Sequence, residues 1–413
     1  MCGEKMTEVK YEHPLDYYTV DNFINGSRKM IGKPVQGIAT PPKNNEADYH
    51  SISGYARSLG DDNPLFNDVL YAVTKAKYST VIAPPTFLTI LRYPIYEGAL
   101  FDGPYPLVGI EAAFDWVWND VVKMNDRFTT EMILKDVYEK TGDKGRTVYL
   151  VSECKYRNAL SNKLVATCNG TYAAIARAES ITEIPEAAKE GFAKQPISDR
   201  KVHYYSDEEI ERLIKDIGGM AMRGYYPLYW DDVNIGDELA PVVKGPLTTG
   251  ALMSYHGTVF NIDAFPTFEN SFHKWLKKPG FLRTNPLTGW PYDLQMAEHN
   301  DPNMSAARGM PYMFGLGSLK AGLCTHLLSN WMGDDGYIRR LKVDVLEPYL
   351  YGDALWIKGK VVEKYKEKIG GVLYLAVDIK IESINQEGQN VAPGTATLYL
   401  PSITQPVELP ILQ

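Results

Sequence analysis

Cysteine is scarce in this chain: four residues in 413, at Cys2, Cys154, Cys168 and Cys324. None forms a C-x-x-C pair, which excludes a zinc ribbon and a disulfide framework as organising devices. Uncharged apolar runs stop short of the roughly 18 residues that a membrane-spanning helix requires. The opening stretch MCGEKMTEVKYEHPLDYY has no apolar core of a secretion signal, so a cytoplasmic location and no membrane partner are the expectations. Basic excess is also missing. The net charge is −8, which argues against nucleic acid as a partner. Histidines number only seven, so each one near a carboxylate carries information.

Tyrosine, in contrast, is plentiful, with 28 residues alongside 7 tryptophans. Such a supply suits large half-buried surfaces and a wide pocket for a bulky ligand. Hydrophobic residues make up 45% and charged residues 23%, the balance of a chain that buries a real core.

The two halves echo each other. VYLVSECKYRN (Val148–Asn158) resembles LYLAVDIKIES (Leu373–Ser383), and MNDRFTTEMIL (Met124–Leu134) lines up with YGDALWIKGKV (Tyr351–Val361). The offset stays at about 226 residues, the signature of a duplicated domain and not of a short-repeat solenoid. Leu373, Leu375, Val377, Ile379 and Ile381 recur at period two, as a half-buried strand requires. LWIKGKVVEKYKE, from Leu355, reads as a further strand.

Ahead of these strands lies GSLKAGLCTHLLSNWMG, where Leu319, Leu323, Leu327 and Trp331 recur at helical spacing and Gly333 supplies a C-cap. PPTFLTILRY holds the same place in the first half. One helix followed by a run of strands predicts an α+β unit, an antiparallel sheet wrapped on a helix. The predicted division is a first domain over 1–178, a helical linker over 179–230 and a second domain over 231–413. In the linker, Ser206 and Glu209 form a capping box for YSDEEIERLIKDIGG, which Gly218 ends. The stretch from Phe260 to Trp290, rich in Pro and Gly, predicts a long loop.

Two short stretches carry the chemistry. In the first half YARSLGDDNPLFND contains Gly60-Asp61-Asp62-Asn63-Pro64-Leu65 followed by Phe66. In the second, AEHNDPNMSAARGMPYMFGLG contains His299 beside Glu298, then Asp301 and a glycine-proline turn. Alone, His299 would read as an ordinary loop histidine, Asp61 and Asn63 as turn caps, Asp301 as the cap of the helix begun by PNMSAAR, and His256 and His326 as core or surface residues. KWLKKPG is basic enough to meet phosphates but reads more simply as a solvated charge run. No Asp/Glu/His cluster has metal spacing and no phosphate loop is present.

The GDDNPL segment resembles the hydratase signature of the MaoC-like, R-specific enoyl-CoA hydratases, whose members are hotdog proteins and often tandem (double) hotdogs of this length. The resemblance covers roughly 37–402. It implies a tandem hotdog whose two sheets pair into one antiparallel surface, with helices wrapped by it. The family's histidine is missing from the first half: Phe66 stands there and cannot move a proton. The first domain is therefore expected to be degenerate (Asp61, Asn63, Phe66) and to hold the acyl tail. His299 stands at an offset of 233 (299 minus 66) and restores the histidine in the second half. The acid at the family's five-residue separation is replaced by Leu294, leaving Asp293, Asp301 or Glu298 as the carboxylate. By resemblance, GMPYMFG is the turn into the central helix. Pro311, Tyr312 and Gly315 then lie at the substrate, with backbone donors near Gly315 for the enolate oxygen.

A histidine and a carboxylate can hold a water between them and serve as base and acid in adding it to a 2-enoyl thioester. The implied activity is reversible hydration of a 2-enoyl-CoA, or dehydration of a 3-hydroxyacyl-CoA, with an unusual or bulky acyl group. Coenzyme A enters only as part of the substrate, with no separate cofactor and no metal. The alternatives are a non-catalytic acyl-CoA-binding subunit of a hydratase complex and a hotdog thioesterase. A homodimer or a partner subunit remains open.

Overall fold

The computed structural model describes residues 11–37, 45–142, 145–176, 198, 200–260, 282–290, 293–307 and 310–412, with backbone alone at 282–283, 293–296 and 307. Most of the expected loop between Phe260 and Trp290 lies outside the described residues.

Four long strands build the first half: β1 (Leu107–Trp118), β2 (Phe128–Gly142), β3 (Gly145–Asn158) and β4 (Leu164–Ala176). The second half contributes β5 (Glu238–Lys244), the two-residue β6 (Leu282–Arg283), β7 (Asp293–Leu294) and β8 (Phe314–Gly315), and β9 (Tyr337–Asp344). Then follow β10 (Tyr349–Leu350), β11 (Leu355–Ile369), β12 (Val372–Asn385) and β13 (Gly394–Tyr399). β2 and β11 begin 227 residues apart (355 minus 128), in line with the repeat read from sequence.

Nine strands form one antiparallel sheet in the order β2-β3-β4-β1-β9-β13-β12-β11-β5. The halves join where β1 pairs with β9, from Ala113 opposite Asp344 to Val117 opposite Arg340. This is the tandem hotdog, with a continuous sheet across both units. Period two shows in β12: Val377, Ile379 and Ile381 are buried while Lys380 is exposed. At its outer end Leu373 turns outward and Tyr374 is buried instead.

The two central helices differ in length. The second-half helix runs from Gly317 to Met332, and every residue but Trp331 is buried, between the sheet and first-half segments that include Leu59 and the Pro85–Phe87 turn. Three of the helix's buried polar side chains find backbone carbonyl partners. Thr325 donates to the Gly322 carbonyl, Ser329 to the His326 carbonyl, and Lys320 to the Glu347 carbonyl. Gly333 ends it at φ 69°, a left-handed position that glycine adopts without strain. In the first half the equivalent segment is a 3-10 turn over Pro85–Phe87 leading into Leu88–Leu91.

Between the halves Asp207–Gly218 is helical with the Ser206–Glu209 capping box formed. Arg200, buried in the same connection, forms a bidentate pair with Asp353 at 2.6 and 3.0 Å, which ties this connection to the second half. Among the described residues no helix is long and apolar enough to cross a membrane.

Gly322 is one place where the halves approach closely. A Cβ at Gly322 would stand 2.6 Å from Leu59 Cδ2. Glycine there lets the end of the first-half Tyr49–Ser58 helix touch the second-half central helix. Leu59 opens the turn into Gly60 and Asp61, and one helical turn beyond Gly322 comes His326.

Candidate active site

His299 ends a 3-10 turn, Gln295–His299, and is 5% exposed. Its Nδ1 lies 2.6 Å from the Phe314 carbonyl oxygen. A carbonyl can only accept, so Nδ1 carries the proton and Nε2 is left as a base. Nε2 faces Glu298 Oε1 at 3.6 Å, beyond a direct hydrogen bond. Glu298 is buried as well. Burial holds the imidazole down to about 4, so it is neutral at physiological pH. The ring packs on Phe314 at 4.4 Å and edge-on to His256 at 4.9 Å. His256, on the helix Thr249–Val259, is fully buried and is likewise depressed by burial, then by its histidine neighbour.

From His256 a chain of rings leads through Phe260 to Tyr93 and so to the start of the central helix. There the half-buried Glu111, from β1 of the other half, accepts the backbone N–H of Ser318 at 3.1 Å and a bond from the Tyr93 hydroxyl. The Gly317 N–H also points to it. Tyr93 and Tyr255 hydroxyls both reach Ser318 Oγ, at 2.8 and 3.1 Å. Gly317 leaves room here: a Cβ would lie 3.0 Å from the Glu111 side chain, which would have to shift by a few tenths of an ångström. Burial raises Glu111 to about 6 against these stabilising donors.

Several expectations need correction. Asp301 is not the acid beside His299. Its Oδ1 accepts the N–H of Asn303 at 2.7 Å and of Met304 at 3.4 Å, and its Oδ2 accepts Asn285 Nδ2 at 3.3 Å. It caps the helix Pro302–Ala307 because a short carboxylate satisfies otherwise orphaned first-turn donors. Gly315 is not at the helix start. It pairs with Tyr349 in the β8–β10 bridge, and the helix donors come two residues later, already engaged by Glu111. Tyr312 stacks on Tyr351 at 5.2 Å, and its carbonyl accepts Ser305 Oγ. Pro311 precedes it in the bend before β8. Asp293 sits in β7 opposite Arg283, and its side chain lies outside the described residues.

In the first half Asn63 Oδ1 accepts the Leu65 N–H and caps Pro64–Asn67. Phe66 is buried beside Leu65, Ala56 and Ile82. Asp61 is 1% exposed and receives the Asn63 N–H, but its carboxylate also meets a partner that sequence reading set aside: His326 Nε2, at 3.5 Å. Among the described residues Asp61, Asp62 and His326 are the group with metal-like proximity. Lys244 stands beside them, its ammonium donating to the Gly60 carbonyl, so a cation is already in place; burial nevertheless raises Asp61 to about 7.

Sequence reasoning missed Glu111, His256 and His326. Glu111 had one signal, as the single acid in the apolar run LVGIEAAF; the two histidines had none beyond their type.

Residues 35–167 match the family model described as FAS1-like, dehydratase domain region. No curated protein matches the chain in sequence. Among solved structures, a MaoC-like dehydratase is similar over 91% of this chain and 99% of its own, at 16% identity and a TM-score of 0.59. A MaoC domain protein assigned as a dehydratase, from Chloroflexus aurantiacus J-10-fl, covers 90% of this chain and 95% of its own, at 12% identity and a TM-score of 0.53. Those identities speak for the fold. Residues 35–167 thus match the FAS1-like dehydratase domain region, and the chain as a whole has the fold seen in the MaoC-like dehydratase structure.

Proposed function

We propose that the chain is a hydro-lyase that reversibly adds water to a 2-enoyl-CoA, with His299 as its base. The observation that carries this reading is the orientation of His299. Nδ1 is anchored on a carbonyl, and the basic Nε2 is aimed at a buried carboxylate. In this mechanism Nε2 takes a proton from water while the water oxygen bonds to C3. The π electrons move onto the thioester, and Glu298 in its acid form delivers a proton to C2. Acid–base groups of this kind contribute about 10²–10⁴-fold in rate. The developing oxyanion is met by the N–H groups of Gly317 and Ser318 once the Glu111 carboxylate swings off the helix start. The rings of Tyr93, Tyr255 and Phe260 border this region and suit a bulky acyl part.

One observation favours a second reading. Glu111 fills the donors a substrate oxygen needs, as expected of a binding subunit without turnover. The two readings part in one assay. Purified chain is mixed with short, branched and polycyclic 2-enoyl-CoAs while enoyl absorbance and free thiol are followed together. Absorbance loss without thiol release supports the hydro-lyase. Thiol release makes the chain a thioesterase, and tight binding with neither change makes it a binding subunit.

A further inference from the structure

We propose that the first half retains an acid/base site of its own, completed across the repeat by Asp61 of the GDDNPL turn and His326 of the second-half central helix. The substrate class is the same 2-enoyl thioester, and the inference rests on the hydro-lyase reading. Three observations place the pair. Asp61 and His326 are 1% and 2% exposed, and Nε2 faces Oδ1 at 3.5 Å. His326 Nδ1 is buried with no hydrogen-bond partner among the described residues, a cost that a merely structural histidine would ordinarily avoid. An apolar cavity of about 50 Å³ is bordered by Asn63 of the same turn and Ser329 of the same helix, with Phe66, Ala83, Pro85 and Met332, though not by the pair itself.

The cavity is where the lost histidine's position faces. Phe66, five residues after Asp61, is part of its wall. Ser329 stands three residues beyond His326 and donates to its carbonyl, so the cavity's border lies about one helical turn along from the histidine. At 1.5 Å per residue, His326 is about 14 Å along the helix from Gly317, so this pair is distinct from the His299 cluster. Asp62 is exposed and Lys244 only half-buried, which puts the pair just beneath the surface.

The step balances without a co-reactant other than water. His326 Nε2 takes a proton from water, and the oxygen bonds to C3. The π electrons pass to the thioester, and Asp61 in its acid form protonates C2. The proton then returns from His326 to Asp61. Burial favours the required starting forms: it pushes Asp61 up to about 7 and holds His326 neutral, down to about 3.

The test uses full-length chain and 2-butenoyl- and 2-decenoyl-CoA. His299→Ala is the background, and Asp61→Asn and His326→Gln are added to it singly. The expected result is a residual hydration rate in His299→Ala that falls at least tenfold further in each double variant, with circular dichroism and thermal midpoint retained. Because the buried pair is sensitive to substitution, Ala83→Leu in the same background serves as a second probe. It adds bulk to the cavity wall while leaving both residues of the pair unchanged, and should shift the residual rate toward the shorter substrate. A residual rate that ignores all three changes overturns the inference, as does a His299→Ala variant with none, and both leave the hydro-lyase reading standing. A wild-type chain that hydrates neither substrate removes that reading itself.

Discussion

The two halves depart from the hydratase-like motif in opposite ways. By that resemblance the first half has Asp61 at the acid position with Phe66 at the histidine position, whereas the second has His299 at the histidine position with Leu294 at the acid position. The central helices diverged in parallel. One spans the 16 residues Gly317–Met332 and is enclosed, and the other is cut to the four residues Leu88–Leu91 after a proline-led turn. Each half borrows from the other. Glu111 of the first half engages the helix start of the second, and His326 of the second meets Asp61 of the first. A duplicated unit, once fused, can distribute one set of reactive groups over both copies. A motif read within one copy then undercounts the site.

The largest effect expected from breaking this asymmetry is at His299. His299→Ala should lower kcat for enoyl-CoA hydration by about 10²-fold or more. Steady-state rates at saturating substrate check this, and a change confined to KM would remove the catalytic role. Next comes the choice of acid. Glu298→Gln should lower kcat by roughly tenfold or more. Asp301→Ala should leave kcat per folded molecule unchanged and lower unfolding free energy by about 1 kcal/mol, the worth of an N-cap. Urea denaturation beside the rate assay reads both, and the reverse pattern would make Asp301 the acid.

A finer difference lies in pH. With His299 held down to about 4 by burial, kcat/KM should lose activity on the acid side near that value, not near 6.5. A limb at 6.5 would mean a solvated histidine. In the first half the linked signs oppose each other. Asp61, raised from 3.8 to about 7, keeps its proton longer in the folded state, so its contribution to stability declines as pH rises through that window. His326, lowered to about 3, binds its proton less readily when folded, so its contribution is lost as pH falls below 6.5. Asp61→Asn removes only the first effect. Relative to wild type the variant should therefore be more stable at pH 8 than at pH 5, which urea midpoints at the two values would measure.

Much of the fold was legible because it rests on local patterns. The period-two run in β12, the Ser206–Glu209 capping box and the Gly333 cap each follow from a few neighbouring residues, and all three are present. The repeat itself showed in the strands, whose exposed and buried faces constrain residue type at every position. The candidate site was legible only in part. His299 stood out beside Glu298, yet the position of Asp301 depended on whether PNMSAAR opened a helix. Contacts between Glu111 and Ser318, or Asp61 and His326, span more than half the chain. They exist because Gly317 and Gly322 admit close approach, which no periodicity encodes.

The most direct test of the central claim is proton NMR of a 2-enoyl-CoA incubated with the chain in D₂O. The account predicts a 3-hydroxyacyl-CoA carrying one deuterium at C2, formed by wild type and strongly slowed in His299→Ala. Free coenzyme A in its place, or bound substrate with no new product, would contradict it.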